Sequence, residues 1–543
     1  MKTTIASLFF FISICNGQSN YPQNYFSSPL DIDLILSGSF AELRNNHFHS
    51  GLDIKTQGRE GLKIYASASG YVSRIKISRY GYGKALYIKH PNGYTSVYAH
   101  LQKFSPVIEA YVKKRQYQGE TFELELFPKA GTLKVLDRQL IAFSGNTGGS
   151  GGPHLHFEIR NTKSEHVINP MLFGISIPDS KLPTIQSLLG YPLSEDARIN
   201  KQNNSHEISI KHMGNGKYIA DRITASGTIG FGVHVFDRLD NAWNKNGIYS
   251  LEMLVNGKRH YYHDVSTFSF AESKYLNLLI DYSYYKRYKR RIQKTFKENK
   301  NELSIYKGLI NNGKINIKSG FNYTIEIIAK DIIGNSSSLK IPVIGKKSNA
   351  VFKKQKDTTA YKIIADNFQK FKKENITIAF PKNTFYQDIY LDFKVDSGVA
   401  KVHTPSIPLN KSYTLTFNVS KYTAQEKEQL YIVNTEYAKY PRYVNTRKKD
   451  TTFYTTTKTL GKYTLKMDTL KPDVKILYID NKQWITSAKT LKVKVSDVDS
   501  GIKNWRATID DSWILMQYNH KKGVLTYNFS DKILVGSKHI FKN

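Results

Sequence analysis

The stretch NNHFHSGLDIKT, residues 45–56, places His47, His49 and Asp53 within seven positions of a chain that has 15 histidines in all. His49 and Asp53 stand four apart, a spacing that shares one face of a helix. Gly51 and the strand-like LDIKT argue instead for a bend running into a strand, which also lets two ligand side chains converge. A second group lies in GNTGGSGGPHLHFEIR, residues 145–160. There His154, His156, Glu158 and Arg160 alternate with Leu155, Phe157 and Ile159, the period of two of a half-buried strand. Both imidazoles then point the same way, about 7 Å apart at ~3.3 Å of rise per residue. One can bind an ion while the other reaches a substrate beside it, and the preceding glycines carry no side chains to block a cleft. His100, isolated in YAHL, completes the set. Any one of these histidines alone reads as a surface or capping residue. HxxxD, a strand HxH and YAHL together leave few bland readings.

Such a set suits a hydrolytic zinc ion, which commonly takes three protein ligands, neutral His nitrogens and a carboxylate, and keeps a fourth position for water. The pKa of that water falls toward ~7 and the scissile carbonyl is polarised. Remaining histidines can take the proton and stabilise the oxyanion.

HxxxD, YxHL and GNTGxSxGPHLHFEIR resemble the motifs of the lysostaphin-type zinc endopeptidases, which cleave peptide bonds in bacterial peptidoglycan, over about Leu30 to Gly174. The resemblance implies that His49, Asp53 and His156 are the ligands of one Zn2+ per catalytic domain, and that His100 and His154 are the catalytic histidines. It also implies an antiparallel β barrel or sandwich, the duplicated hybrid motif, with the metal in an open groove suited to extended peptides. His47 matches no required position and is expected beside the groove. Some relatives have lost ligands and only activate other hydrolases. This chain keeps every metal and catalytic position, which favours an enzyme over a non-catalytic envelope adaptor that binds wall peptides or activates another wall hydrolase. The link from YxHL to GNTG is much longer than the family's usual short segment, and Arg138 stands where glycine is usual, so the groove walls are expected to differ. No familiar wall-binding repeat is present, and little separates the N-terminal apolar run from the catalytic domain, so no inhibitory propeptide is expected there.

Other motifs carry less. GGSGG, residues 148–152, fits G-x-S-x-G, but that nucleophile device needs a helix after the serine, and a strand follows here. SHEISIKHM fails HExxH because Ile210 takes the second histidine's place, and a plain strand is expected. The GNTGG loop lacks the Gly-Lys-Ser/Thr of a phosphate cradle. YSYYKRYKRRIQK, residues 282–294, mixes aromatic and basic side chains as nucleic-acid surfaces do; in an exported protein it reads as a snorkelling strand edge or a glycan-facing patch.

The elements that must position these residues are mostly strands. At 543 residues, 40% hydrophobic and 13% aromatic, with 37 tyrosines, the chain suits several β-rich domains. KALYIKH and YTSVYAHL flank Pro91-Asn92-Gly93, a hairpin signal. Strand-like runs such as TIGFGVHVF, YTIEIIAK, QDIYLDFKV and LKVKVSD recur beyond Lys181, where no convincing helix is legible. Two of them end in Asp-x-x-x-Asn turns, FDRLDN and KDIIGN, at the edges of expected immunoglobulin-like β-sandwich modules. The expected divisions are a signal peptide at 1–17, a peptidase domain at 18–176 with an insertion at 102–133, a β-sandwich module at 177–346, a linker at 347–361, a second module at 362–470, and an immunoglobulin-like module at 471–543. In the insertion YVKKRQYQ could form a short helix, and the last module, stopping at KHIFKN, lacks a closing strand and reads as incomplete.

The run Ile5 to Ile14 is too short to span a bilayer comfortably, so export to the periplasm or cell envelope is expected, with lipidation at Cys15 the alternative. Cys15 is the only cysteine, which rules out an intrachain disulfide. No later apolar run would cross a membrane. A net charge of +34 suits anionic envelope polymers as well as the peptidoglycan peptides, and export argues against nucleic acid as the partner.

Overall fold

Valine, isoleucine, threonine and tyrosine alternate with polar residues through most of the chain, and the structure, a computed structural model, is accordingly mostly β. It describes residues 21–347, 358–437, 439–480, 483–484, 488–531 and 538–542. The expected signal peptide with Cys15 and most of the expected linker lie outside the described residues.

The first domain is built from β1 (Leu36–Gly38), β2 (Leu52–Lys55), β3 (Lys63–Tyr65), β4 (Gly70–Ile77), β5 (Lys84–Lys89), β6 (Tyr94–Ala99), β7 (Lys103–Phe104), α1 (Pro106–Gln118), β8 (Leu124–Leu126), β9 (Lys134–Val135), β10 (Leu140–Phe143), β11 (His154–Asn161) and β12 (Val167–Ile168). Its main sheet is antiparallel in the order β1-β2-β11-β6-β5-β4-β8, with β3, β10 and β7 forming a second small sheet. Leu155, Phe157 and Ile159 of β11 face a core shared with Leu52, Ile54, Ile64, Leu86, Tyr98 and Ile141. The alternate residues of β11 face the other way, toward Ser50, Asp53 and Tyr82. The hairpin of β5 and β6 turns at Pro91-Asn92-Gly93, where Gly93 adopts φ 85°.

Within the expected insertion the helix is longer than YVKKRQYQ alone suggests. Pro106 sits at its first turn, where the missing N–H costs nothing, and Ile108, Val112 and Gln116 are buried at intervals of four.

The packing does not divide at residue 176. Val265, Phe268, Leu276, Leu279, Ile280, Leu303 and Ile305 join the first core. Thr267 and Phe268 also pair with β12, so the next module lends the peptidase sheet an extra strand. The remaining strands between Thr184 and Gly345 form one twelve-stranded sheet around a second core, with the long strand Ile223–Phe236 pairing in turn with several partners, one of them parallel. Two five-stranded sheets enclose a third core from Ile363 to Tyr463, a β-sandwich. A four-stranded and a three-stranded sheet surround the fourth.

Three sequence expectations change here. YSYYKRY is a helix (Tyr282–Tyr288), not a strand edge, because the Asp281 carboxylate caps it by accepting from the Tyr284 N–H at 2.9 Å and Lys289, at φ 60°, ends it. Further short helices occur at Leu276–Leu279 and at Ala424–Gln429, the latter opened by a reciprocal Thr423/Glu426 capping box. The segment KHIFKN supplies the short strand Phe541–Lys542, paired with Thr508–Ile509, where no closing strand was expected.

His263 is fully enclosed in the module that follows the first domain, with Nδ1 2.9 Å from the Tyr261 hydroxyl, and burial pushes it down to about 4. It is neutral in the fold and takes up a proton on unfolding at any pH below its ordinary 6.5. Stability is therefore expected to fall as pH drops from 6.5 toward 4, by about 2 kcal/mol at pH 5. Urea midpoints at pH 7 and pH 5 should separate in the native chain and draw together in His263→Gln.

Candidate metal centre

The register of three adjacent strands assembles the centre. On β11, His156 lies opposite Asp53 of β2 on one side and Ala99 of β6 on the other, and His100 follows Ala99 directly. His49 reaches the same place from the bend before β2. That bend needs Gly51, because a Cβ there would stand 2.3 Å from the Phe157 carbonyl oxygen.

His49 Nε2, His156 Nδ1 and Asp53 Oδ1 converge at separations of 3.0 Å, 3.1 Å and 2.9 Å. The outer ring nitrogens fix the tautomers. His49 Nδ1 lies 2.7 Å from the Ser39 carbonyl oxygen, which can only accept, so Nδ1 holds the hydrogen. His156 Nε2 lies 2.8 Å from the Glu158 carboxylate and donates in the same way. The three inner atoms are thus all acceptors facing one another. Nitrogen and oxygen ligands at ~2.0–2.1 Å from a tetrahedral ion stand about 3.3 Å apart, so the cage needs only a slight spread to hold one. His49, Asp53 and His156 can therefore hold a metal ion together.

The surrounding charges favour that state. Burial works against the ionised Asp53, yet His49, His154 and His156 hold its carboxyl well below the usual range, and Arg44 Nη2 donates to its other oxygen at 2.9 Å. Burial keeps His49 neutral. Burial would lower His156 too, but Asp53 and Glu158 outweigh it and raise it to about 9, so a proton on Nδ1 is the alternative to a cation. Glu158 is enclosed and accepts from Ser50, from the Tyr82 hydroxyl and, at 2.6 Å, from Arg160 Nε. Burial alone would raise Glu158, but Arg160 and His156 hold it ionised.

His100 and His154 stand beside the cage with ring centroids 4.7 Å apart. His100 donates Nδ1–H to the Thr147 carbonyl oxygen at 2.9 Å, and burial, followed by His156 and His154, pushes it down to about 3. His154 Nδ1 lies 2.9 Å from the Gly152 carbonyl oxygen and 3.1 Å from Ser150 Oγ, and its Nε2 lies 3.4 Å from Asp53 Oδ1. Ser150 of GGSGG thus orients His154, and a strand follows it. His100 itself adopts φ 60°, a left-handed backbone uncommon for such a residue, which turns its ring back over the sheet. His47 is exposed and bonds only locally to the Asn45 carbonyl oxygen.

All five residues expected from the motifs meet here. The alternation in HLHFEIR also places Glu158 and Arg160 on the histidine face, but their duty as second supports is visible only in the contacts. Arg44 and Tyr82 carry no signal of this kind.

Two histidines and an aspartate that could hold a metal ion thus meet in an antiparallel β domain, with two further histidines beside them. Residues 47–124 match the model for Peptidase family M23, and residues 360–468 that for a Zu5-like domain. The first domain belongs to peptidase family M23, the lysostaphin type. The matched stretch holds His49, Asp53 and His100 and ends inside the insertion, so His154 and His156 are placed by β11 alone. DD-carboxypeptidase/endopeptidase Mpg of Neisseria meningitidis serogroup B is 33% identical over 131 residues, 24% of this chain and 24% of that one. An uncharacterized metalloprotease of Haemophilus influenzae is 32% identical over 123 residues, 23% of this chain and 20% of that one. The matches span about a quarter or less of the length of these curated relatives. Among solved structures, a zinc-containing peptidase from Vibrio cholerae aligns at 25% identity and TM-score 0.21 over 29% of this chain and 41% of that one. The catalytic domain of lysostaphin from Staphylococcus simulans aligns at 25% and TM-score 0.19 over 29% and 94%.

Glu158→Gln keeps the shape of the support but removes the charge that holds the His156 tautomer. Metal affinity is expected to drop by about 10- to 100-fold, read by competition with a chromophoric chelator.

Proposed function

We propose that the protein is a zinc metalloendopeptidase that hydrolyses peptide bonds in the stem or cross-link peptides of bacterial peptidoglycan, acting in the periplasm or cell envelope. The observation that carries this is the meeting of ligand atoms from His49, Asp53 and His156 within 3.1 Å of one another, a place that calls for a positive charge, a cation or else a proton on His156. Membership of the first domain in family M23 supports a peptidase, and the named activity of the Neisseria relatives supports wall peptides as substrate.

In this reading His49, Asp53 and His156 hold the zinc, which when bound supplies a Lewis acid that makes water acidic near neutral pH and polarises a carbonyl. His100 and His154 keep their Nδ1 hydrogens on backbone carbonyls, which leaves Nε2 of each as an acceptor. Burial keeps His100 uncharged at neutral pH, the state of a general base. Once protonated, such a ring can return the proton to the departing amine. Arg44, by neutralising the outer oxygen of Asp53, leaves the inner oxygen for the ion. The N-terminal apolar run and the charge of +34 support export and a place among anionic wall polymers. The modules after residue 177 are accessory in this reading, and among the described residues no helix is long and apolar enough to cross a membrane.

Digestion of purified peptidoglycan is expected to release new soluble muropeptides, to stop with a chelator and to resume with zinc. His154→Ala should keep zinc and lose turnover, whereas His156→Ala should lose both, read as zinc per chain beside muropeptide yield. Zinc bound without any muropeptide release would leave the adaptor alternative standing instead.

A further inference from the structure

The two Asp-x-x-x-Asn turns meet outside the metal cage, at residues that take no part in it. Asp237 follows the strand Ile223–Phe236, Asp331 follows Asn322–Lys330, and Asp179 lies on the segment leading out of the first domain. One carboxylate oxygen of each lies within 4.8 Å of the others. We propose that Asp179, Asp237 and Asp331 bind a calcium ion at the junction between the peptidase domain and the module that follows it.

An acidic cluster alone says little, since carboxylates crowd many surfaces. Here Asp179 is half-buried and the other two are enclosed. Asp237 is 2% exposed and Asp331 5%. Asp237 Oδ1 and Asp179 Oδ2 are buried without a hydrogen-bond partner. Asn246, a neutral side chain 3% exposed that lines the same cavity, leaves its Nδ2 unpartnered as well. Buried polar atoms are nearly always satisfied, and several orphans around one cavity call for a missing partner. Asn246 Oδ1 accepts from Asn244 Nδ2 at 3.2 Å while Asn244 Oδ1 is itself unpartnered, so turning both amides over together keeps that bond and puts the Asn246 oxygen where its unpartnered nitrogen stands, the two orientations differing only in which atom is named nitrogen. The nearby lysine is committed elsewhere, with Lys181 Nζ donating to the Leu239 carbonyl oxygen at 3.1 Å.

The cavity is about 30 Å³, room for an ion with a water rather than an organic ligand. Its donors are carboxylate and amide oxygens, with neither histidine nor cysteine. That set selects a hard cation, and the irregular approach of three chain segments suits the flexible coordination of calcium better than the strict octahedron of magnesium. Asp331 is braced by its own turn, one carboxylate oxygen accepting from the Gly334 and Asn335 N–H groups at 2.7 Å and 2.9 Å and the other from Asn335 Nδ2 at 2.7 Å, and Asp179 Oδ1 accepts from the Lys181 N–H at 3.0 Å, which leaves Asp179 Oδ2 and Asp237 Oδ1 open to an ion.

The location gives the ion a task. Leu36, Ser39 and Phe40 of the first domain close the cavity. The Gly247 N–H donates to Ser39 Oγ at 3.0 Å, and the Ser39 carbonyl oxygen holds His49 Nδ1. An ion here would pin the module that follows the first domain against the loop that carries His49. The inference stands apart from the peptidase reading, because it uses none of the cage residues.

The test uses the purified full chain, stripped of metal, reloaded with zinc and titrated with calcium chloride, with bound metals counted by mass spectrometry and thermal midpoints recorded. One calcium per chain is expected beside the zinc, with a midpoint that climbs with calcium concentration. Asp237→Asn and Asp331→Asn should lose calcium uptake and keep zinc, whereas His156→Ala should lose zinc and keep calcium. In calcium, Asp237→Asn should lower the midpoint; without a bound ion the same change would relieve repulsion between carboxylates and raise it. No calcium uptake by the native chain at millimolar concentration would overturn the proposal, as would uptake unaffected by both variants or a raised midpoint for Asp237→Asn in calcium. If a variant fails to fold, the native chain's calcium count still decides.

Discussion

Three lone pairs aimed at one point are a cost that a fold carries only when something positive sits between them. His49 Nε2, His156 Nδ1 and Asp53 Oδ1 meet in that way inside a buried cage. Cross-strand register puts Asp53 and His100 beside His156, since β2 and β6 flank β11, and the bend before β2 brings in His49. The other charges come in compensated pairs: Arg44 answers Asp53 and Arg160 answers Glu158. A divalent ion therefore adds positive charge where only a proton on His156 would otherwise stand. Buried ion pairs are weak contributors to stability, and their value here lies in orienting rings.

The support for His49 is only partly local. Between β1 and β2 the chain makes a long excursion that pairs only briefly with itself, through Leu43 and Phe48. The next module holds it from outside. The Phe48 N–H donates to Ser273 Oγ at 2.7 Å, Asn277 Nδ2 to Asn46 Oδ1 at 3.0 Å, and both the Tyr285 hydroxyl and Arg291 to Asn45 Oδ1. Hydrophobic residues from the same stretch complete the first core, so separating the two modules would expose the core and loosen a ligand at once.

The cage was legible because its residues lie in short motifs whose period states their direction. HLHFEIR alternates, so His154 and His156 had to share a face, and the bend at Gly51 had to bring His49 back toward Asp53. The β character followed from composition in the same way. What escaped depends on contacts between distant segments. YSYYKRYKRRIQK carries tyrosines and cations that suit either a polymer surface or a brace, and only the position of Asn45 decides that Tyr285 and Arg291 brace it. Its helix is fixed by a cap at Asp281 rather than by an apolar stripe, since none of its residues is buried. The Asp-x-x-x-Asn turns were visible as edges, but their convergence on Asp179 is a property of the sheet. The core shared across residue 176 has no local signature at all.

The long insertion between YxHL and GNTG gains its sense from the last module. Its helix buries one face against the peptidase core and turns the other outward, where Lys113 pairs with Asp531 at 2.6 Å and Tyr117 meets Trp513 edge-on at 5.3 Å. Phe122, just beyond, packs on Trp505. From that platform the last module reaches the edge of the groove: Lys521 Nζ donates to the Asn146 carbonyl oxygen at 2.6 Å, and Tyr80 packs against His520. Asn146 belongs to GNTG, the loop whose Thr147 carbonyl orients His100. A short family-type link would offer no surface for this docking. The insertion thus carries a contact between the first domain and the last module, and the loop that aims His100 becomes part of that contact.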